Sequence, residues 1–100
     1  MITHSIGADE LQDDELAQLE SQDVVEVWYN YEKAPYEGSG YAVVKFEDGT
    51  FDVVSLSHCS CYGPTDNWSR GKTYSTLADF KGSQEYFGDI DDVCKAAGLV

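Results

Sequence analysis

Hydrophobic and polar positions alternate most regularly through the middle of this chain. Val24-Val25-Glu26-Val27-Trp28-Tyr29-Asn30-Tyr31 is β-branched and aromatic with partial alternation, which predicts a first strand with Val25, Val27, Tyr29 and Tyr31 on one face. Glu32 to Gly40 contains Pro35 and the step Gly38-Ser39-Gly40, and reads as a loop carrying Tyr36. The apolar pattern resumes over Tyr41 to Phe46, breaks at Glu47-Asp48-Gly49-Thr50, and returns over Phe51 to Ser57. Asp-Gly between two β-rich runs predicts a hairpin with a two-residue type I′ turn, in which both central residues take positive φ. With Asp48 and Gly49 as the loop, Phe46 opposes Phe51, Lys45 opposes Asp52, Val44 opposes Val53, Val43 opposes Val54 and Tyr41 opposes Leu56. Both faces of the hairpin are apolar away from the turn. The sheet therefore needs a helix on one side, and aromatics or a partner on the other.

Helical spacing flanks this meander on both sides. Ala8 to Gln22 is rich in helix formers and sets Ala8, Leu11, Leu16 and Leu19 on a narrow apolar stripe, which predicts an N-terminal helix lying on the sheet. Ser75 to Phe80 reads as a single capped helical turn broken at Gly82-Ser83. A further helix is predicted over Asp89 to Ala97: Asp89 as N-cap, Asp91 and Asp92 at the positive end of the dipole, Lys95 in the last turn and Gly98 after it. Ile90, Val93, Cys94 and Ala97 form its buried side, making Cys94 a core residue. The expectation is an α+β fold: a three-stranded antiparallel meander, an acidic N-terminal helix and one or two short C-terminal helices. It forms a single domain over 1–100, divided into an acidic helical segment (1–22), the meander (24–57), a Cys-rich turn and loop (58–74) and a helical C-terminus (75–100).

Charge changes the picture at the N-terminus. Nineteen acids against six bases give a formal net charge of −13, and all eight ionisable side chains other than His4 between Met1 and Glu26 are acids. Such a balance argues against nucleic acid or an anionic membrane as partner, since phosphate binding needs clustered Lys and Arg. A protein with a basic surface is the natural complement. The absence of an apolar run of about 18 residues, and of a basic start with an apolar core at the N-terminus, points to a cytoplasmic protein.

Unusual residues gather at Ser57-His58-Cys59-Ser60-Cys61-Tyr62-Gly63-Pro64, followed shortly by Trp68. Three cysteines in a reducing compartment read as free or metal-bound thiols rather than a disulfide framework. His58, Cys59, Cys61 and Cys94 are candidate zinc ligands by residue type, but Cys-x-Cys with no second pair is a poor spacing for a zinc site. A cysteine nucleophile with His58 or His4 as base and Asp66 as orienter is a further option, although adjacent strand residues point to opposite faces. The zinc-deaminase elements are absent. The preferred reading is architectural: buried thiols under a turn, His58 bonded to a backbone group, Gly63-Pro64 reversing the chain and Trp68 covering the corner. No enzyme activity and no cofactor are expected.

Ser-His-Cys-Ser-Cys-Tyr-Gly followed by Trp, behind a Tyr-rich loop and a meander, resembles a group of small uncharacterised proteins encoded mostly by bacteriophages and bacterial mobile elements. The resemblance covers Val24 to Trp68. In that group acids often follow the tryptophan, whereas Ser69-Arg70-Gly71-Lys72 follows here. The resemblance implies a phage gene acting in a bacterial cytoplasm, without an assigned activity. Together with the charge it leads to the expectation of a small acidic binding protein, an inhibitor of a host nucleic-acid-binding defence complex of the anti-CRISPR or anti-restriction type, mimicking nucleic acid through its carboxylates. The expected contacts are Asp9, Glu10, Asp13, Asp14, Glu15, Glu20, Tyr36, Glu37, Asp89, Asp91 and Asp92. The alternatives are a metal- or thiol-dependent protein using His58, Cys59, Cys61 and Cys94, and a phage accessory protein without inhibitory role. Tyr29, Tyr31, Tyr36, Tyr41 and Tyr62 serve equally well as interface or as core.

Overall fold

The computed structural model describes residues 1–35, 37–59, 63–65, 68, 73–82 and 90–99. Four strands form a mixed sheet in spatial order β1 (Ile2–Ser5), β2 (Val24–Lys33), β3 (Glu37–Phe46) and β4 (Phe51–Ser55), and the two-residue β5 (His58–Cys59) pairs with β3 beyond the end of β4. The helices among the described residues are α1 (Asp13–Glu20), α2 (Leu77–Lys81) and α3 (Asp91–Ala96). None is long and apolar enough to cross a membrane.

The architecture is thus α+β, but the sheet is not the antiparallel three-stranded meander expected. Ile2 to Ser5 runs parallel to β2, with Thr3 beside Val27 and Ser5 beside Tyr29. The expected loop over Glu32–Gly40 is mostly strand: β2 continues to Lys33, β3 starts at Glu37, and the Ala34 N–H donates to the Glu37 carbonyl at 2.7 Å across a tight connection. Tyr36 lies outside the described residues.

Two cores, one on each face of the sheet, hold the layers together. The first joins Leu11 and Leu19 to Val24, Val27, Tyr29, Tyr31, Ala42, Val44, Phe46, Val54 and Leu56, with Leu16 and Trp68 packed against it. The second joins Val43 and Phe51 to Tyr74, Phe80, Ile90, Val93 and Cys94, with Trp28, Tyr41, Val53, Leu77, Ala97 and Leu99 at its margin. Helix α1 covers one face, and α2 and α3 cover the other.

Alternation along β2 carries one defect, and it decides which valine is buried. The register shifts between Val24 and Glu26, so Val24 is buried while Val25 is 41% exposed. Val27, Tyr29 and Tyr31 keep the expected face, and Val25 leaves it because a bulge sets two residues against one.

The β3–β4 hairpin is one residue out of the expected register. Lys45 opposes Phe51, Val44 opposes Asp52, Val43 opposes Val53, Ala42 opposes Val54 and Tyr41 opposes Ser55. The Gly49 N–H donates to the Phe46 carbonyl at 3.0 Å, the Phe46 N–H donates to the Thr50 carbonyl at 2.9 Å, and Gly49 has φ +88°. This is a three-residue loop, a type I turn closed by a left-handed glycine, in which Asp48 need not adopt positive φ. The Asp48 carboxylate accepts instead from the Thr50 N–H at 3.0 Å and its hydroxyl at 2.6 Å. The slip sends Phe51 to the second core and Asp52 to the first face. There Asp52 is 6% exposed and its carboxylate accepts from the Val53 N–H at 2.8 Å and the Trp68 indole N–H at 3.3 Å.

Helix α1 is shorter than the Ala8–Gln22 segment expected. Residues ahead of it are held by the sheet: the Asp9 N–H donates to the Tyr31 carbonyl at 3.0 Å, and Ala8 is exposed. The helix starts where Gln12 caps it and the Glu15 carboxylate accepts the Gln12 N–H at 2.9 Å. Leu11 before the cap and Leu16 after it join the same core as a hydrophobic staple. Helix α2 is capped by Thr76, whose hydroxyl accepts from the Asp79 N–H at 3.2 Å, and stops at Gly82 as expected. Helix α3 has Ile90 rather than Asp89 at its N-cap; Asp89 lies outside the described residues. Its end is a Schellman motif, with Gly98 N–H to the Lys95 carbonyl at 3.1 Å and Leu99 N–H to the Cys94 carbonyl at 3.1 Å. Ile90, Val93 and Cys94 are buried and Ala97 is half-buried, the side expected from spacing.

Candidate functional site

The Cys-rich turn is described only in part, and its described residues are anchored to the first core. Pro64 and Thr65 are buried, the Thr65 hydroxyl donates to the Glu15 carbonyl at 3.1 Å, and the Gln22 amide donates to the Trp68 carbonyl at 3.2 Å. The Trp68 ring stacks on Phe46 with centroids 6.3 Å apart. The segment therefore packs back on α1 and the residues after it. Ser60, Cys61, Tyr62, Asp66 and Asn67 lie outside the described residues, as does the side chain of Cys59.

His58, for which a backbone partner was expected, has a side-chain partner. Its Nε2 is 2.6 Å from Tyr31 Oη, and the two rings stack with centroids 5.9 Å apart. Strand order creates this pair: β2 and β5 flank opposite edges of β3, so Tyr31 and His58 meet above Gly38, which has no side chain to separate them. A methyl group at Gly38 would lie 2.7 Å from Tyr31 Oη and overlap the imidazole. Burial first, then the Glu15 and Asp9 carboxylates, raise the Tyr31 pKa above its ordinary value. The phenol stays protonated and donates whenever the imidazole proton sits on Nδ1. Beside the pair, Glu32, Ala34, Glu37, Gly38, Ser39, Ser57 and His58 line an open groove of about 460 Å³.

This hydrogen bond makes a testable contribution. Tyr31→Phe is expected to cost about 1 kcal/mol at pH 7 in urea denaturation. The raised phenol pKa stabilises the fold fully below the unfolded value of about 10 and loses that contribution as pH rises through the higher folded value. The wild type should therefore lose stability above about pH 10 more steeply than Tyr31→Phe, so the two curves converge.

Of the residues proposed for metal or thiol chemistry, His58 and Cys94 are set apart by the sheet, while Cys61 and the side chain of Cys59 lie outside the described residues. Cys94 lies in the second core, on the opposite face of the sheet from Tyr31 and its partner His58. Burial first, and then the Asp91 carboxylate, push its thiol pKa up while Lys81 pulls it down, the reverse of an activated nucleophile. His4 is on β1, its Nε2 is 2.8 Å from Glu26 Oε2, and its ring stacks on Trp28 at 5.2 Å. No group of three or more His, Cys, Asp or Glu side chains among the described residues could hold a metal ion.

The expected acidic contacts divide between the two faces of the sheet. Glu10, Asp13, Asp14 and Glu20 are exposed on or just before α1, whereas Asp91 and Asp92 are exposed on α3. Three of the expected acids have local structural partners: Asp9 accepts from the Lys33 N–H at 2.8 Å, Glu15 closes the α1 cap, and the exposed Glu20 lies 3.7 Å from the Met1 amine. Glu37 is exposed at the His58 groove, and Tyr36 and Asp89 lie outside the described residues. Of the five tyrosines, Tyr29 and Tyr31 are core, with Tyr29 Oη accepting from the Leu11 N–H at 3.1 Å. Tyr41 is half-buried against the second core, and Tyr62 lies outside the described residues.

Sequence reasoning missed β1 and the groove it forms with α1. Met1, Thr3, Asp13, Leu16, Ala17, Glu20 and Ser21 line an open groove of about 480 Å³. The available signal was the alternation of Ile2, His4 and Ile6 with Thr3 and Ser5, too short to stand out beside the acidic run that follows. No protein-family model, curated protein or solved structure matches the chain.

Proposed function

We propose that this chain is a non-catalytic binding protein whose α1 face docks on the basic surface of a partner protein. The observation that carries this reading is the exposure of Glu10, Asp13, Asp14 and Glu20 on one side of the sheet, in a 26-residue stretch without Lys or Arg. Exposed carboxylates of one sign raise the rate of encounter with a cationic surface and make binding salt-sensitive. Asp13 and Asp14 also favour the N-terminal end of the α1 dipole, so fold and docking are served by the same side chains. The resemblance to phage and mobile-element proteins makes host nucleic-acid-binding defence complexes the partner class to assay.

The test is capture from bacterial lysate at about 50 mM and about 500 mM salt, a range over which surface charges become largely screened. The bait is compared with an Asp14→Lys, Glu20→Lys double variant. A nucleic-acid-binding protein retained by the wild type at low salt, and lost with the variant or at high salt, is the expected result. Equal capture by both baits would exclude α1 as the docking face.

A further inference from the structure

Among the described residues no strand pairs with the outer edge of β1, and the two faces of the strand differ in chemistry. The Ile6 N–H donates inward to the Tyr29 carbonyl at 2.8 Å, so strand alternation turns the N–H and C=O groups of Thr3 and Ser5 outward. Thr3 faces the α1 side with Val27, where Asp13 and Glu20 rim the 480 Å³ groove over a floor that includes Leu16 and Ala17. Ile2 and His4 face the other way with Glu26 and Trp28; Ile2 is 59% exposed, and Ile6, directly after the strand, is 44% exposed. At the far side of the sheet, Phe51 on β4 is bridged by Tyr74, with N–H to carbonyl distances of 2.9 and 2.8 Å. An uncovered edge with exposed apolar side chains is a template for strand addition.

Resting on the reading above, we infer that β1 takes an extended segment of a partner protein in which Lys or Arg alternates with apolar residues. Added as a fifth long strand beside β1, such a segment places every second side chain in the groove. A Lys or Arg there lays its aliphatic stem on Leu16 and Ala17 and its charge against Asp13 and Glu20. The intervening side chains fall beside Ile2 and Ile6. Charge selects this occupant over a second copy of the chain, because pairing two β1 edges would bring two acid-only segments of a −13 protein together.

The test measures binding of labelled (Lys-Val)4 by fluorescence anisotropy at about 50 mM salt, where exposed charges are weakly screened. The comparison peptides are the same sequence N-methylated at alternate residues and (Glu-Val)4. Alternate N-methylation, which removes the edge donors while keeping the charge, is expected to weaken binding at least about tenfold, as is Asp13→Lys with Glu20→Lys in the protein. The amides of Thr3 and Ser5 should exchange more slowly with peptide bound. Equal affinity for the methylated peptide overturns strand addition but leaves acidic docking standing if binding remains salt-sensitive. Absence of binding to (Lys-Val)4 also overturns the inference, and the lysate capture then judges the broader reading on its own. Slow exchange at Thr3 and Ser5 in a concentration-dependent dimer without peptide would assign the edge to a second copy instead.

Discussion

Gly40→Ala is expected to destabilise the protein by about 3–5 kcal/mol, a large part of the about 5–15 kcal/mol that holds a domain of this size together. Gly40 sits in β3 opposite Tyr31 with φ +144°, a backbone region that L side chains rarely adopt. An added Cβ would overlap the Asn30 carbonyl oxygen and lie 2.9 Å from the carbonyl carbon and 3.0 Å from Tyr31 Cα. Those atoms are backbone in the central strand pair, so relief requires breaking the β2–β3 ladder. Gly82→Ala is the control: it is the C-cap of α2 at φ −79°, and among the described residues its Cβ would meet two carbonyl oxygens at 3.6 Å, an ordinary contact. Urea denaturation should show that change within about 1 kcal/mol of wild type. Equal midpoints for both variants would contradict the β2–β3 geometry.

Phe80→Ala is expected to cost about 3–5 kcal/mol and to release α2 from the sheet. Its ring is fully buried and meets Tyr74 and Phe51 edge-on, at 5.1 and 6.2 Å. Helix α2 has five residues, too few to persist without packing, and Phe80 is its one fully buried side chain. Loss of the ring also loosens Tyr74, which bridges Phe51 at the β4 edge. A lowered melting temperature together with faster amide exchange at Phe51 would report both effects. Unchanged exchange at Phe51 would separate α2 from the β4 edge. The variant leaves Glu10, Asp13, Asp14 and Glu20 in place, so it tests the second core separately from the acidic face.

The helix signals were legible because each rests on local chemistry. Thr76 caps α2, Gly98 closes α3, and Ile90, Val93 and Cys94 are buried as their spacing requires. The hairpin position was legible for the same reason, since Asp48 and Gly49 form its turn. Its register was not. Alternation selects a register when one face is polar, but β4 carries Phe51 and Val53 on one face and Val54 on the other, with Leu56 directly after the strand in the same core as Val54. With cores on both faces of the sheet, either register buries apolar residues, and Asp52 is tolerated inside because Val53 and Trp68 donate to it.

Of the candidate site, the acids on α1 were legible as charge and the groove beside them was not. Sequence by itself determined the α+β class, the helix stops at Gly82 and Gly98, the place of the β3–β4 turn, the burial of Cys94 and the acid-only N-terminal stretch. These follow from dihedral preference, spacing and charge within a few residues. Tertiary structure alone decided that Ile2 to Ser5 joins the sheet, that His58 meets Tyr31 across β3, and that the acids of α1 and α3 lie on opposite faces. Each of those depends on which distant segments become neighbours, and that choice is made by the burial of two cores at once.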